Sequence, residues 1–131
     1  RLALEENTLI IFTSDNGGFA KATSNAPLRA NKGSNYEGGI RVPFAMRWKG
    51  TIEPRQEIND PVISLDLLPT FISSAGADLS SYKNLDGVDL LPRLKGIKSK
   101  LAARSLFWRR YGPSIIPAVK NQVRNKKIVR L

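Results

Sequence analysis

The chain has 131 residues and a formal net charge of +10, and it contains neither Cys nor His. The absence of Cys excludes disulfides, thiolate metal sites and a thiol nucleophile, and the absence of His excludes Ser–His catalysis and imidazole ligation within this sequence. The length suffices for one small domain with a core, and no apolar run is long enough to span a membrane.

The basic charge is concentrated towards the C-terminal end. Residues 1–95 hold 11 basic and 11 acidic side chains, whereas residues 96–131 hold 10 basic side chains and no acidic one. This asymmetry is compatible with polyanion contact or with a solvated face whose acidic partners lie elsewhere. It also predicts a subdomain boundary near residue 96. The basic residues of this tail are Lys98, Lys100, Arg104, Arg109, Arg110, Lys120, Arg124, Lys126, Lys127 and Arg130.

The first half of the chain predicts a strand followed by a long loop. Residues 8–13 are a continuous run of Leu, Ile, Ile and Phe between threonines, which is typical of a strand covered on both faces and paired on both edges. Residues 17–39 are rich in Gly, Asn, Ser and Pro and predict a loop, which at this length is usually functional or disordered. Residues 1–6 resemble the end of a helix, so we expect a longer protein to contain this sequence.

The middle of the chain predicts a second strand and a helix. Residues 42–48 form the strand, with Pro43 near its beginning, where a missing donor is tolerated. Residues 64–76 have helical apolar spacing, with Ser64 as the expected N-cap, Asp66 in the first turn and Gly76 as the end.

The remaining residues predict less regular structure. We expect residues 77–97 to be a loop with an anchored apolar segment. Residues 105–109 and 116–131 predict two further strands, separated by a Tyr-Gly-Pro turn.

Two adjacent oxygen ligands follow the first predicted strand. Asp15 offers a carboxylate and Asn16 an amide oxygen, a mixture that Ca²⁺ accepts readily at the edge of a sheet. Two ligands do not complete a calcium site, which takes about six to eight. The alternative is a simple turn through Gly17 and Gly18, and these four residues by themselves favour that turn.

The loop that follows carries a candidate anion contact. Lys32 stands beside Gly33, so its ammonium and the nearby backbone could both approach an oxyanion, although an exposed lysine is the simpler interpretation. Glu37 and Arg41 bracket two glycines, which predicts an ion pair that closes a turn. The glycine spacing does not match a phosphate-binding P-loop.

These segments together resemble the sulfatase family. The resemblance is carried in order by Thr-Ser-Asp-Asn-Gly-Gly at 13–18, Asn-Ala-Pro-Leu-Arg at 25–29, Lys-Gly-Ser at 32–34 and Tyr-Glu-Gly-Gly-Ile-Arg-Val-Pro at 36–43. Later segments at 64–70, 75–77 and 85–90 are similar to further landmarks of that family. Residues 106–108 and 117–120 resemble the entry to its C-terminal subdomain.

The resemblance implies a fold and a chemistry. It implies an α/β fold, a mixed sheet of the alkaline-phosphatase-like type flanked by helices, with residues 96–131 beginning a small antiparallel subdomain. It also implies sulfate-ester hydrolysis by a formylglycine beside a calcium ion. Asp15 and Asn16 match calcium ligands and Lys32 matches the lysine that contacts the sulfate. Glu37, Gly38, Gly39 and Arg41 match a motif that shapes the loop.

The sequence departs from the family at several places. The nucleophile motif Cys/Ser-x-Pro-x-Arg is absent, and the match of residues 25–29 to its Pro and Arg spacing begins with Asn, so we interpret it as coincidence. We therefore expect the formylglycine, the first calcium-ligand pair and the active-site histidines upstream of this sequence. Ala30 and Asn31 stand where the family often has glycines. Residues 121–127 replace the family's final turn.

Three functions remain open at this point. The first is the C-terminal part of a calcium-dependent sulfatase, inactive alone, with sulfated glycans as the favoured substrate and an extracellular, periplasmic or lysosomal location. The second is a degenerate homologue that binds polyanions through residues 96–131, where Arg and Lys are interleaved with aromatics. A nucleic-acid partner is disfavoured, because no established binding motif is present. The third is a phosphoester-cleaving relative of the same architecture.

Overall fold

The computed structural model describes residues 2–109 as a small α/β structure. Its regular elements are the strands β1 (Ile10–Thr13) and β2 (Phe44–Arg47) and the helices α1 (Glu37–Ile40), α2 (Leu67–Ser74) and α3 (Leu91–Leu94). Short 3₁₀ turns lie at Glu5–Asn7, Ser64–Asp66 and Leu79–Ser81. Among residues 2–109, no helix has the length and apolarity needed to cross a membrane.

The two predicted strands are confirmed, each with shorter bounds, and they pair antiparallel. Ile10 lies opposite Arg47, and Thr13 lies opposite Phe44. Within residues 2–109, β1 has β2 as its one strand partner, and the further neighbours that its apolar pattern predicts are not among these residues. Phe12 is 58% exposed, whereas Ile11 packs against the core.

The predicted helix over 64–76 is observed as the 3₁₀ turn Ser64–Asp66 followed by α2. Gly76 ends it as expected, with φ +75°, and the Ala77 amide donates to the Ile72 carbonyl at 3.1 Å. The prediction of Ser64 as N-cap is wrong. The turn instead begins at Ile63, whose amide donates to the Asp66 carboxylate at 2.9 Å.

Two further expectations are corrected within the described residues. The predicted loop 77–97 contains α3, which begins with Pro92 in its first turn, where proline is tolerated. Residues 105–109 form no strand, and β1 and β2, the two strands of the described residues, pair with each other and not with this segment. The predicted strand 116–131 and its turn lie outside the described residues.

The core lies between the sheet and the helices. Its buried members are Phe44, Ile58, Val62, Leu90, Leu91 and Leu94. Phe44 belongs to both the core and the sheet, since it begins β2 and pairs with Thr13. The core therefore fixes the end of β1, from which Asp15 and Asn16 follow.

A buried ion pair joins three segments around α2. Asp66 is fully buried, and its two carboxylate oxygens accept hydrogen bonds from the Arg104 guanidinium at 2.6 and 2.5 Å. The same carboxylate accepts from the amides of Ile63 at 2.9 Å and Val88 at 3.0 Å. Arg104, counted in the basic tail, is thus neutralised by an acid 38 positions earlier in the chain.

Thr70 extends this network by one turn of α2. Its buried hydroxyl donates to the Asp66 carbonyl at 2.6 Å and accepts from the Leu90 amide at 3.0 Å. The backbone amides of Val88 and Leu90 therefore attach this segment to the turn before α2 and to α2 itself, respectively. Each bond satisfies a polar group that burial would otherwise leave unpaired.

We predict that Asp66→Asn disrupts this network, because the substitution leaves the Arg104 charge buried and uncompensated. In the full-length protein, native-state hydrogen exchange of the Ile63 and Val88 amides should show an opening free energy lower by about 3–5 kcal/mol. Lys49→Gln is the control, since its contacts to Glu5 at 3.2 Å and Glu6 at 3.8 Å are exposed and worth below about 1 kcal/mol. Equal effects of the two substitutions would contradict the prediction.

Candidate functional site

The two candidate metal ligands directly follow β1. The Asp15 side chain is exposed and the Asn16 side chain is half-buried. Within residues 2–109 neither side chain takes part in a hydrogen bond or ion pair, so their oxygens are available to a ligand. The backbone here is held locally, because the Ser14 hydroxyl donates to the Asn16 carbonyl at 2.9 Å.

The glycines after Asn16 are required by a close contact between two backbones. The Gly17 amide donates to the Gly39 carbonyl at 2.9 Å. A Cβ atom on Gly17 would lie 1.8 Å from the Gly38 carbonyl oxygen, so no side chain fits. The segment that carries Asp15 and Asn16 is thereby fixed against α1.

Lys32 is attached to the same backbone. Its amide donates to the Gly18 carbonyl at 3.0 Å, which places the Lys32 backbone beside the residue two positions after Asn16. The Lys32 side chain is exposed, and its ammonium makes no hydrogen bond or ion pair within the described residues. The structure thus brings the backbones of the three predicted site residues onto one framework.

Asn25 is a supporting residue that the sequence interpretation missed. Its side-chain amide forms both possible bonds with the Gly18 peptide unit, accepting from the amide at 2.8 Å and donating to the carbonyl at 2.9 Å. A carboxamide can donate and accept in this way from one planar group, whereas an ionised carboxylate can only accept. The sequence contains that residue type but no sign that Gly18, seven positions earlier, is its partner.

The helix α1 holds the other side of the loop. The Gly38 amide donates to the Arg29 carbonyl at 2.8 Å, and a Cβ atom on Gly38 would lie 2.0 Å from the Ala30 carbonyl oxygen. The predicted ion pair is confirmed: Arg41 Nη1 lies 3.0 Å from Glu37 Oε2. This pair spans one turn of α1 and encloses its two glycines.

Ala30 has a left-handed backbone conformation, with φ +65°. A residue with a Cβ atom is strained there, and glycine is not. This gives a physical reason for the glycine that the sulfatase pattern often has at this position, and it means that Ala30 is strained.

Asp15 and Asn16 supply only some of the oxygen ligands that a metal ion requires. No group of three or more His, Cys, Asp or Glu side chains within residues 2–109 could hold a metal. The carboxylate and the amide oxygen are nevertheless suitable as two of the oxygen ligands that Ca²⁺ takes. Asp15 also lines a cavity of about 390 Å³, together with apolar residues that include Phe44, Val62 and Leu67.

Comparison with known proteins identifies the family. The sulfatase family model matches residues 1–77, a range that contains Asp15, Asn16, Lys32 and α1. The chain belongs to the sulfatase family. Rat steryl-sulfatase (Rattus norvegicus) is 41% identical to this sulfatase-family chain over 105 residues, covering 73% of the chain and 18% of that protein. Human arylsulfatase A is 40% identical, covering 98% of the chain and 24% of that protein.

A solved structure supports the same assignment. It is the crystal structure of Ps i-CgsB in complex with k-i-k-neocarrahexaose, which is 44% identical to the chain with a TM-score of 0.61. The similarity covers 67% of this sulfatase-family chain and 20% of that one. It supports an α/β sulfatase-like fold. The chain thus spans about a fifth of the length of the relatives it matches.

We predict that Gly17→Ala opens the loop, because the 1.8 Å approach to the Gly38 carbonyl cannot be relieved without moving backbone. The cost should be about 3 kcal/mol or more. Hydrogen exchange of the Lys32 and Gly38 amides should accelerate accordingly. Gly50→Ala is the control: with φ +76° and no atom within 4 Å, it should cost about 1–2 kcal/mol of local strain and leave those two amides unchanged. Unchanged exchange in Gly17→Ala would exclude the close contact.

We predict that Ala30→Gly stabilises the loop. Relief of the strain at φ +65° exceeds the added freedom of glycine in the unfolded chain, for a net gain of about 0.5–1 kcal/mol. The same change at Ala22, whose φ is not positive, should cost about 0.4–1 kcal/mol. Unfolding midpoints that shift in the same direction for both variants would argue against strain at Ala30.

Proposed function

We propose that this chain is part of a sulfatase that hydrolyses sulfate esters, in which Asp15 and Asn16 ligate calcium and Lys32 contacts the sulfate. The observation that carries the proposal is the family match over residues 1–77, because it includes all three residues. The shared backbone framework supports it, since the loop contacts at Gly17 and Gly18 hold both segments.

The charges at the site suit a sulfate ester. Asp15 offers an unpaired carboxylate and Lys32 an unpaired ammonium within the described residues, so neither charge is already neutralised. A calcium ion held by Asp15 and Asn16 would supply positive charge where the ester oxygens gather negative charge. Lys32 would bind and orient the sulfate by charge-assisted hydrogen bonds.

The proposal places the reacting group elsewhere in the protein. This sequence has no Cys and no Cys/Ser-x-Pro-x-Arg motif, so a formylglycine and the remaining calcium ligands would come from outside it. The role of this chain is therefore to bind and orient the sulfate rather than to attack it. Glu37, Gly38, Gly39 and Arg41 would act by shaping the loop that carries Lys32.

The finer architecture is also part of the proposal. Strands β1 and β2 would belong to a larger mixed sheet flanked by helices, which accounts for the exposure of Phe12. Residues 1–95 would complete a catalytic domain and residues 96–131 would begin a small antiparallel subdomain. An extracellular, periplasmic or lysosomal location follows from the family resemblance.

Sulfated glycans are the substrate class that we propose. The excess of basic side chains in residues 96–131 favours an anionic polymer. The similar structure of Ps i-CgsB was solved with k-i-k-neocarrahexaose, an oligosaccharide, which is compatible with this choice.

The polyanion-binding alternative is weakened by one contact. Arg104 belongs to the basic tail, but its guanidinium is committed to Asp66 and its side chain is only 16% exposed. It therefore offers no free charge to a polymer. The phosphoester alternative has no feature of the described residues in its favour over the sulfatase match.

The test is sulfate release by the full-length protein. Lys32→Met should lower kcat/KM for a sulfate ester by about 10²–10³-fold, because one charged donor to the developing oxyanion is lost. Asp15→Ala should weaken calcium binding measured by calorimetry. Lys21→Met, an exposed lysine of the same loop, is the matched control and should change neither quantity. A wild-type protein that releases phosphate but no sulfate would refute the proposal.

A further inference from the structure

A stacked pair of side chains stands beside Lys32 in the same loop. The guanidinium of Arg29 lies over the ring of Tyr36, with its central carbon 3.8 Å from the ring centroid. Both side chains are exposed, Tyr36 to 44%. The ring therefore covers one face of the guanidinium, while the N–H groups point outward in its plane.

The Arg29 guanidinium has no acidic partner. Within residues 2–109 its side chain forms no hydrogen bond or ion pair, so all five N–H groups remain available. The nearest acid in the loop sequence, Glu37, is already paired with Arg41 at 3.0 Å. Arg29 thus carries a full positive charge that the described residues do not neutralise.

The backbone fixes where this cation stands. The Arg29 carbonyl accepts from the Gly38 amide at 2.8 Å, and the Tyr36 carbonyl accepts from the Gly39 amide at 2.8 Å. Both ends of the stacked pair are therefore attached to α1. A cation held in this way loses less conformational entropy on binding than a free arginine does.

Arg29 and Lys32 form a pair of cations on one fixed loop. Three residues of chain span at most about 10 Å, so both can reach anionic groups of one oligosaccharide. Lys32 is held through its amide to Gly18, and Arg29 through its carbonyl to Gly38. The proposed function assigns Lys32 to the scissile sulfate, whereas it gives Arg29 no role.

We propose that Arg29, held by Tyr36, is a binding subsite for a second anionic group of the substrate. The guanidinium fork suits the bidentate recognition of a sulfate or carboxylate oxygen pair. The substrate class is then a multiply sulfated oligosaccharide rather than a monosulfated ester. This inference depends on the proposed function for the role of Lys32.

The experiment measures binding and turnover separately in the full-length protein. Calorimetry compares a multiply sulfated carrageenan hexasaccharide with phenyl sulfate, which carries a single sulfate. Arg29→Gln should weaken hexasaccharide binding about tenfold, change phenyl sulfate binding less than twofold, and lower the slope of log K against log salt by about one. Lys21→Gln, which removes a charge elsewhere in the loop, should leave the hexasaccharide affinity and slope unchanged.

Two further variants distinguish charge from stacking. Tyr36→Leu keeps the cation but removes the ring, so it should weaken hexasaccharide binding by about threefold and leave the salt slope intact. Arg29→Lys keeps the charge without the planar fork and should give a similar intermediate loss. Thermal unfolding of each variant identifies any that fails to fold.

The outcomes separate the subsite from the proposed activity. Equal weakening of both ligands by Arg29→Gln would make Arg29 a loop-positioning residue and overturn the subsite, as would unchanged hexasaccharide binding. A wild-type protein that releases sulfate from neither ligand, yet shows Arg29-dependent binding of the hexasaccharide, would contradict the sulfatase function and retain the subsite.

Discussion

The site depends on the direct contact between the backbones of Gly17 and α1. The 1.8 Å that would separate a Cβ atom on Gly17 from the Gly38 carbonyl oxygen leaves room for hydrogen alone. Because this contact is made by main-chain atoms, its geometry does not vary with side-chain rotamers. The contact therefore fixes the backbone next to the candidate ligands Asp15 and Asn16, and the bond from the Lys32 amide to Gly18 attaches the Lys32 backbone to it. Each bond across the contact contributes only about 1 kcal/mol, so its main effect is geometric.

The apolar core and the hydrogen-bond network around Asp66 provide a second constraint on the position of the site. The core holds Phe44 opposite Thr13. The network of Asp66 and Thr70 holds Val88, Leu90 and Arg104 at the start of α2. Burying two charges costs several kcal/mol for each ion, and the pair recovers this only through good geometry and additional donors. Asp66 has both, since two amides and a bidentate guanidinium occupy its oxygens. The network therefore specifies one arrangement of segments more than it adds net stability.

Local features of the fold were readable from the sequence, and distant partnerships were not. The strands β1 and β2, the end of α2 at Gly76 and the Glu37–Arg41 pair all depend on residues within a few positions of one another. The partners of Asp66 and Asn25 are brought close by turns of the chain, and the local sequence pattern does not show which residues those turns bring together. For the same reason residues 105–109, whose apolar pattern predicts a strand, have no regular structure here, because a strand needs a partner that the local sequence does not specify. The candidate ligands Asp15, Asn16 and Lys32 were recognisable as types, whereas their common framework required the structure.

The separation between Asp66 and Arg104 has a consequence during synthesis. Their contact spans 38 positions, and the contact between Asp66 and Val88 spans 22. At about 5–20 residues per second, Arg104 is polymerised about 2–8 s after Asp66. During that interval the Asp66 carboxylate lacks the Arg104 guanidinium, and its burial would be uncompensated. We therefore expect this part of the core to close only after Arg104 has been synthesised and has left the ribosome.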